Sequence, residues 1–190
     1  FVDIPPTILS ILEIKQPEFM QGKPFLGKYH AEPRQYVFGG RNRMDEVIDK
    51  MGYVRDAKYR YIRNYMPEKP NYMPNAYRLQ MATMKRMVEL LDHDSLNAVQ
   101  KLWFRAPRSE EEFYDVDMDP FEVNNLINYI DYSEHIDRLR TAYDSWDNKY
   151  NKLWKLSEIE SRELFWPDGI QPVVAAPEVI SKVNGLILQS

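Results

Sequence analysis

Four charged side chains crowd into six residues at Arg41, Arg43, Asp45 and Glu46 (RNRMDE), directly after a short β-prone run and two glycines. Arginine presents a planar fork of donors that matches a sulfate or carboxylate in two parallel hydrogen bonds, and carboxylates accept from sugar hydroxyls. These four residues are therefore the substrate-binding candidates, able to clamp a sulfated or hydroxylated ligand. The same charges would also make a salt-bridged surface loop, in which exposed pairs contribute little.

Other groupings carry less chemistry. Asp115, Asp117 and Asp119 alternate like the start of a calcium loop, but the sixth position is Pro120 rather than Gly and the twelfth is Leu126 rather than Glu. An acidic turn, with the Asp side chains accepting backbone N–H groups, fits the run better. His30, His93 and His135 stand far apart and share no ligand spacing. The chain has no Cys, which excludes disulfides, thiolate metal sites and a cysteine nucleophile within it. No Ser sits in a nucleophile-elbow motif and no glycine-rich phosphate loop occurs. Motifs alone give this chain no catalytic residue and no metal ligand set.

These residues need a frame, and the composition permits one. With 190 residues, 44% of them apolar and 28% charged, the chain has the make-up of a soluble globular protein with a sizeable core. The net charge of -4 dictates no partner, but the 53–78 window carries +4 and the remainder -8. Such a basic window could meet an anion, or be a hairpin with solvated Lys and Arg. No run of 18 apolar residues spans a bilayer, so no membrane partner is expected. No signal peptide is evident, and the chain reads as an excerpt that opens on an apolar helix.

That opening, DIPPTILSIL, predicts a short helix with Asp3 as N-cap, prolines in the first turn and an apolar stripe of Ile8, Leu9, Ile11 and Leu12. Residues 16–33 read as a surface connection rich in Gly and Pro. Residues 35–38 predict a strand and 41–46 a charged loop. A hairpin with a basic outer face of Arg55, Lys58 and Arg60 is predicted around Asp56 and Ala57. Residues 75–91 predict a helix with a core-facing Met stripe, residues 95–104 a further helix, and residues 112–116 a strand. From Ser133, the residues Ile136, Leu139, Tyr143, Trp146, Tyr150 and Leu153 form an apolar seam on a long helix suited to lie on a sheet. Near the end, Asn184 and Gly185 between β-prone runs mark a hairpin, either the start of a small β module or an addition to the main sheet. The fold class is α+β: a small antiparallel β-sheet packed by a long C-terminal helix, with additional short helices.

Several stretches, in order and with compatible spacing over residues 1–165, resemble the C-terminal region of the sulfatase family of the alkaline-phosphatase-like superfamily. FVDIPPTILSILEI resembles the helix that closes the family's catalytic domain, and QGKPFLG the segment after it. RQYVFGGRNRMDE and YVRDAKYRYIRNY resemble the first strands of its small C-terminal sheet. EEFYDVDMDPFEVNNL resembles its Leu-Tyr-Asp-Leu-x-x-Asp-Pro-x-Glu-x-x-Asn-Leu stretch, with Phe113 where Leu is usual.

The resemblance implies residues 1–14 as the terminal helix of a catalytic domain, 15–168 as the C-terminal subdomain and 169–190 as the start of a hairpin tail. It implies a parent sulfuric ester hydrolase, acting on sulfated glycans, that uses a divalent cation (usually calcium) and a formylglycine made in a Cys/Ser-x-Pro-x-Arg motif. That motif is absent here, so this chain alone is expected to be inactive and to hold no cofactor. The implied partners are the N-terminal catalytic domain of the same protein and a sulfated saccharide, with no nucleic acid, and with self-association through an exposed domain interface. The implied setting is periplasmic, secreted or lysosomal. The competing reading is a stand-alone module for an anionic ligand or nucleic acid, with Tyr53, Tyr59 and Tyr61 stacking bases beside Arg55 and Arg60.

Overall fold

The computed structural model describes residues 1–150, 156–173, 178–182 and 185–189, which fall into two compact units, residues 1–144 and 145–190. The first unit is built on a four-stranded antiparallel sheet of order β1-β2-β3-β4: β1 Val37–Met44, β2 Val47–Arg55, β3 Tyr59–Asn64 and β4 Glu111–Asp115. The short helices are α1 (Ile4–Ile11), α2 (Ala82–Asp92) and α3 (Ala98–Phe104). The long helix α4, Ser133–Tyr150, begins in this unit. The α+β expectation is borne out.

The 2-residue period of a strand sends alternate side chains of β3 to opposite faces, and each set finds its own layer. On one face lie Tyr59 and Tyr61 with Phe113 of β4, and there the first turns of α4 pack. Ile136, Leu139 and Tyr143 of the predicted seam are buried, Tyr61 meets Tyr143 at 6.0 Å between ring centroids, and His135 stacks on Tyr59 at 4.6 Å. The helix can lie this close because β2 has glycine beneath it. A Cβ on Gly52 would stand 1.9 Å from the Tyr143 hydroxyl oxygen. On the opposite face Ile62, Tyr114 and Val116 pack with Met51 and Tyr53.

The hairpin expected around Asp56 and Ala57 is the β2–β3 connection. The Asp56 carboxylate shapes it by accepting the backbone N–H groups of Lys58 and Tyr59 at 2.8 and 2.6 Å. Its outer face is not a free basic surface, however. Arg60 turns into the molecule to pair with Glu122 through 3.0 and 2.7 Å bonds and stacks on the Tyr53 ring, while Lys58 pairs with Asp115. Tyr59 and Tyr61 are in the core, 8% and 0% exposed, so they offer no rings for base stacking. Two of the three rings named for base stacking are thus taken up by the core, and the third, Tyr53, has the Arg60 guanidinium over it at 4.6 Å.

The acidic run after β4 is a series of side chain-to-backbone turns. Asp115 accepts from Asp117 and Met118, Asp119 from Val123 and Asn124, and Asn125 from Phe113 and Ile127. Other expectations shift. Residues 75–91 are a 3₁₀ turn (Arg78–Gln80) followed by α2, whose Met84, Met87 and Val88 are half-buried and whose Met81 is exposed, so the Met stripe is not core. Asn97 caps α3 in a reciprocal pair with Gln100, so the helix starts inside the predicted 95–104 span.

Helix α1 forms as predicted, but Asp3 does not cap it. The Asp3 carboxylate accepts instead from the Lys23 backbone and from Arg34, and Ser10 accepts from Tyr29, tying the helix to the 22–34 connection. Gly27, at φ 85°, passes so close to Ser10 that a Cβ would stand 2.4 Å from its carbonyl carbon. The polar and small residues Pro6, Thr7 and Ser10 are therefore the buried ones, and the stripe of Ile8, Ile11 and Leu12 faces outward at 53–62% exposure.

In the second unit, α5 (Glu158–Phe165) is capped by Ser157 and Glu160, and a 3₁₀ turn spans Pro167–Gly169. The expected tail hairpin pairs β5 (Glu178–Lys182) with β6 (Gly185–Gln189) as a sheet of two strands. Asn184 of its turn, and Leu153 of the seam, lie outside the described residues.

Candidate functional site

The RNRMDE run is the end of β1 and a two-residue hairpin turn, not a loop. Arg43 pairs in register with Ile48 and Met44 with Val47, across an irregularity between Arg41 and Arg43, and Asp45 and Glu46 make the reversal. Strand pairing wins over the charge of the sequence because alternate charged residues on an edge strand can stand in water while their backbone stays in the ladder. Asp45 adopts φ 49°, the left-handed region that a short polar side chain tolerates. The Glu46 carboxylate accepts the Ala76 N–H at 3.0 Å, and backbone N–H donors, its own first and then that of Ala76, hold it below the usual carboxylate range.

The structure separates the four candidates. Arg43, Asp45 and Glu46 are exposed at the hairpin end. Arg41 is drawn to Asp49, a fully buried carboxylate that it meets through Nη2 and through Nε at 3.0 Å. Asp49 also accepts from Arg108, itself only 5% exposed, whose Nη1 donates to Asn71 Oδ1 at 2.9 Å and Nη2 to the Met66 carbonyl at 3.3 Å. The Arg41–Asp49–Arg108 triad carries one excess positive charge and joins β1, β2 and the connection into β4.

Arg41 and Arg108 also line a cavity of about 700 Å³ over the sheet face opposite α4. Its floor is made by residues of β2, β3 and β4, including Met51, Ile62 and Tyr114, and its walls by α3 and by residues 121–129. Glu112 on the floor is engaged by neutral donors, Asn64 Nδ2 at 2.6 Å and the Tyr114 hydroxyl at 2.7 Å. Burial first, and then the charge and hydrogen bond of Glu112, push the Tyr114 phenol well above its ordinary range, so it stays a donor. Neither Asp49 nor the cavity was among the residues singled out from the sequence. A lone Asp in a β-prone run gives no sign that Arg41 and Arg108, the latter 59 positions away, will close over it.

Among the described residues no group of three or more His, Asp or Glu could hold a metal ion, and the sequence has neither Cys nor a Ser-x-Pro-x-Arg run. No helix among the described residues is long and apolar enough to cross a membrane.

No protein-family model matches the chain. Known proteins do. An ulvan-active sulfatase of Formosa agariphila is 39% identical over 180 residues, which span 94% of this chain and 30% of that protein. A second ulvan-active sulfatase of the same bacterium is 29% identical over 160 residues, and an arylsulfatase of Clostridium perfringens is 38% identical over 68 residues. The chain thus spans less than a third of the length of these relatives. A solved 2-O GAG sulfatase superposes with a TM-score of 0.53 at 18% identity, over 82% of this chain and 26% of that one. A protein solved with its substrate D-glucosamine-2-N,6-O-disulfate superposes with a TM-score of 0.50 at 17% identity over 82% of this chain, and at such identities the likeness is one of fold. The resemblance to sulfatases read from the sequence is borne out along nearly the whole chain.

Proposed function

We propose that these 190 residues are the C-terminal part of a sulfatase that hydrolyses sulfate esters of a glycan. The observation that carries this reading is the 39% identity to an ulvan-active sulfatase along 94% of the chain, set against 30% of that relative's length. In this reading the remaining two thirds supply the formylglycine, the divalent cation and the bond-breaking step, and the chain alone releases no sulfate. Residues 1–14 close the catalytic domain, residues 15–168 form the C-terminal subdomain, and residues 169–190 begin a hairpin tail.

The part played by this chain is positional. A β1–β2 hairpin end that carries Arg43, Asp45 and Glu46 exposed suits the rim of a pocket, where contacts remote from the reacting ester orient the substrate. Such contacts act on the polymer and not on a minimal ester. In the parent enzyme, Arg43→Ala and Asp45→Ala are therefore expected to raise KM for the sulfated polymer about tenfold each, as loss of a charge-assisted bond does, with kcat on a small aryl sulfate unchanged. Steady-state kinetics on both substrates check this, and unchanged polymer kinetics would remove the hairpin from the pocket rim. The larger claim fails if the parent polypeptide releases no sulfate from either substrate.

A further inference from the structure

The cavity opposite α4 is more than a gap between layers. Its volume of about 700 Å³ lies within the range of ligand pockets, roughly 300–1,000 Å³. Four arginines line it, and they are not equally occupied. Arg60 is neutralised by Glu122, and Arg41 and Arg108 share Asp49. Arg105, on the cavity wall just after α3, forms no ion pair or hydrogen bond among the described residues. One uncommitted guanidinium, together with the excess charge of the triad, faces a carboxylate, Glu112, that is already held by Asn64 and Tyr114.

Two further donors lack partners. The Nε atoms of Arg108 and Arg60 are buried without an acceptor. Both atoms are closed off from the cavity, so they hold the two side chains in place and are not offered to a ligand. Arg108 also lies against Asn71, whose amide nitrogen donates to no group among the described residues. Near the mouth, the rings of Phe121 and Tyr129 are 86% and 59% exposed, and neither stacks on another ring among the described residues. Exposed flat apolar rings beside cationic forks and a free amide answer to a ligand with an apolar face, hydroxyls and one anionic group.

We infer that this cavity is a saccharide subsite that takes an acidic sugar residue, with its sulfate or carboxylate on Arg105, in the positive field of the Arg41–Asp49–Arg108 triad, and its ring against Phe121 and Tyr129. The inference rests on the sulfatase reading for the identity of the polymer, and on the cavity alone for the chemistry of the sugar. A subsite of this kind grips a polymer at a unit other than the one being hydrolysed, so its contribution is to KM and not to the chemical step.

The test is calorimetric titration of the parent polypeptide with a sulfated, uronate-containing tetrasaccharide, its desulfated form and its carboxyl-reduced form. Arg105→Ala and Tyr129→Ala are each expected to weaken binding of the sulfated tetrasaccharide about tenfold, the loss of one charge-assisted bond or one ring contact. Arg105 is exposed and unpaired, so its removal leaves the fold in place, and Arg105→Lys is expected to restore part of the affinity as a point charge. If the desulfated form alone loses its dependence on Arg105, the group held is the sulfate; if the carboxyl-reduced form alone does, it is the carboxylate. Equal affinity of wild type and both alanine variants would overturn the inference, as would a failure of all three sugars to bind. Hydrolysis of a small aryl sulfate by the same preparations keeps the two claims apart. Hydrolysis with unchanged sugar binding removes the subsite alone, whereas Arg105-dependent binding without hydrolysis removes the sulfatase reading and keeps the subsite.

Discussion

At the scale of single residues, the charges that matter are shared charges. Glu111 illustrates this on the α4 face, where Arg140 holds it with two bonds of 3.0 and 2.8 Å, the Tyr61 hydroxyl donates to it, and Arg63 approaches at 3.5 Å while also pairing with Asp144. The Arg140 hydrogen bond, outweighing the opposing effect of burial, lowers Glu111 from its ordinary 4.5 to about 2. A carboxylate depressed by folding stabilises the protein above its unfolded pKa and loses that contribution as pH falls through the folded one. The window here runs from about pH 4.5 down to about 2. With the carboxyl 29% exposed, solvent screening reduces the effect to about 2 kcal/mol. Glu111→Gln is thus expected to cost that much at pH 7 and almost nothing near pH 2, read as the difference between two urea-melt series. A difference that does not shrink with acid would mean that Glu111 acts by shape and not by charge. None of this was legible beforehand, because its partners lie up to 50 positions away and only the fold brings them together.

At the scale of elements, legibility followed from how local the cause is. The β2–β3 hairpin and the start of the α4 seam declare themselves through alternation and through three- and four-residue spacing, which are properties of neighbours in sequence. Residues 41–46 misled because charge density speaks for solvent, and a strand end can be solvated too. The Met stripe of α2 misled because spacing shows that a helix has a face, not what covers it. The Gly52 contact is the clearest case of a cause that is not local. Glycine weakens a strand, so its place in β2 is explained only by Tyr143 pressing down from α4, itself held by a 3.1 Å hydroxyl contact with Tyr65. Gly52→Ala is expected to destabilise by about 3 kcal/mol, the upper end of the usual range for overpacking a filled site. Tyr143→Phe removes the nearest atom but leaves a ring carbon 2.7 Å from the new Cβ, so the double variant should recover only part of the loss. Additive losses in denaturant melts would show that the helix shifts away from the strand rather than resisting it.

At the scale of the molecule, the α1 surface sets the last constraint. A helix of eight residues has no stability of its own in water, yet this one turns Ile4, Ile8 and Ile11 outward, with Leu12 and Ile14 just beyond it, all between 45% and 62% exposed, while its buried side is Pro6, Thr7 and Ser10. Apolar stripes of this kind are the mark of an unfilled interface. In the reading proposed above, the occupant is the remainder of the parent polypeptide. Two consequences pull in opposite directions. In the isolated chain the stripe should drive association between copies, so its sedimentation coefficient should rise with concentration, and Ile8→Asp with Ile11→Asp should abolish that rise. Because both positions face water in the isolated chain, the same pair should change its stability by no more than about 0.5 kcal/mol per site. In the parent, where the stripe would be buried, the two aspartates should lower the melting temperature by several degrees. A wild-type chain that stays monomeric, together with a parent indifferent to the substitutions, would mean that this face was made to meet water, and the assignment of residues 1–14 to a catalytic domain would fall with it.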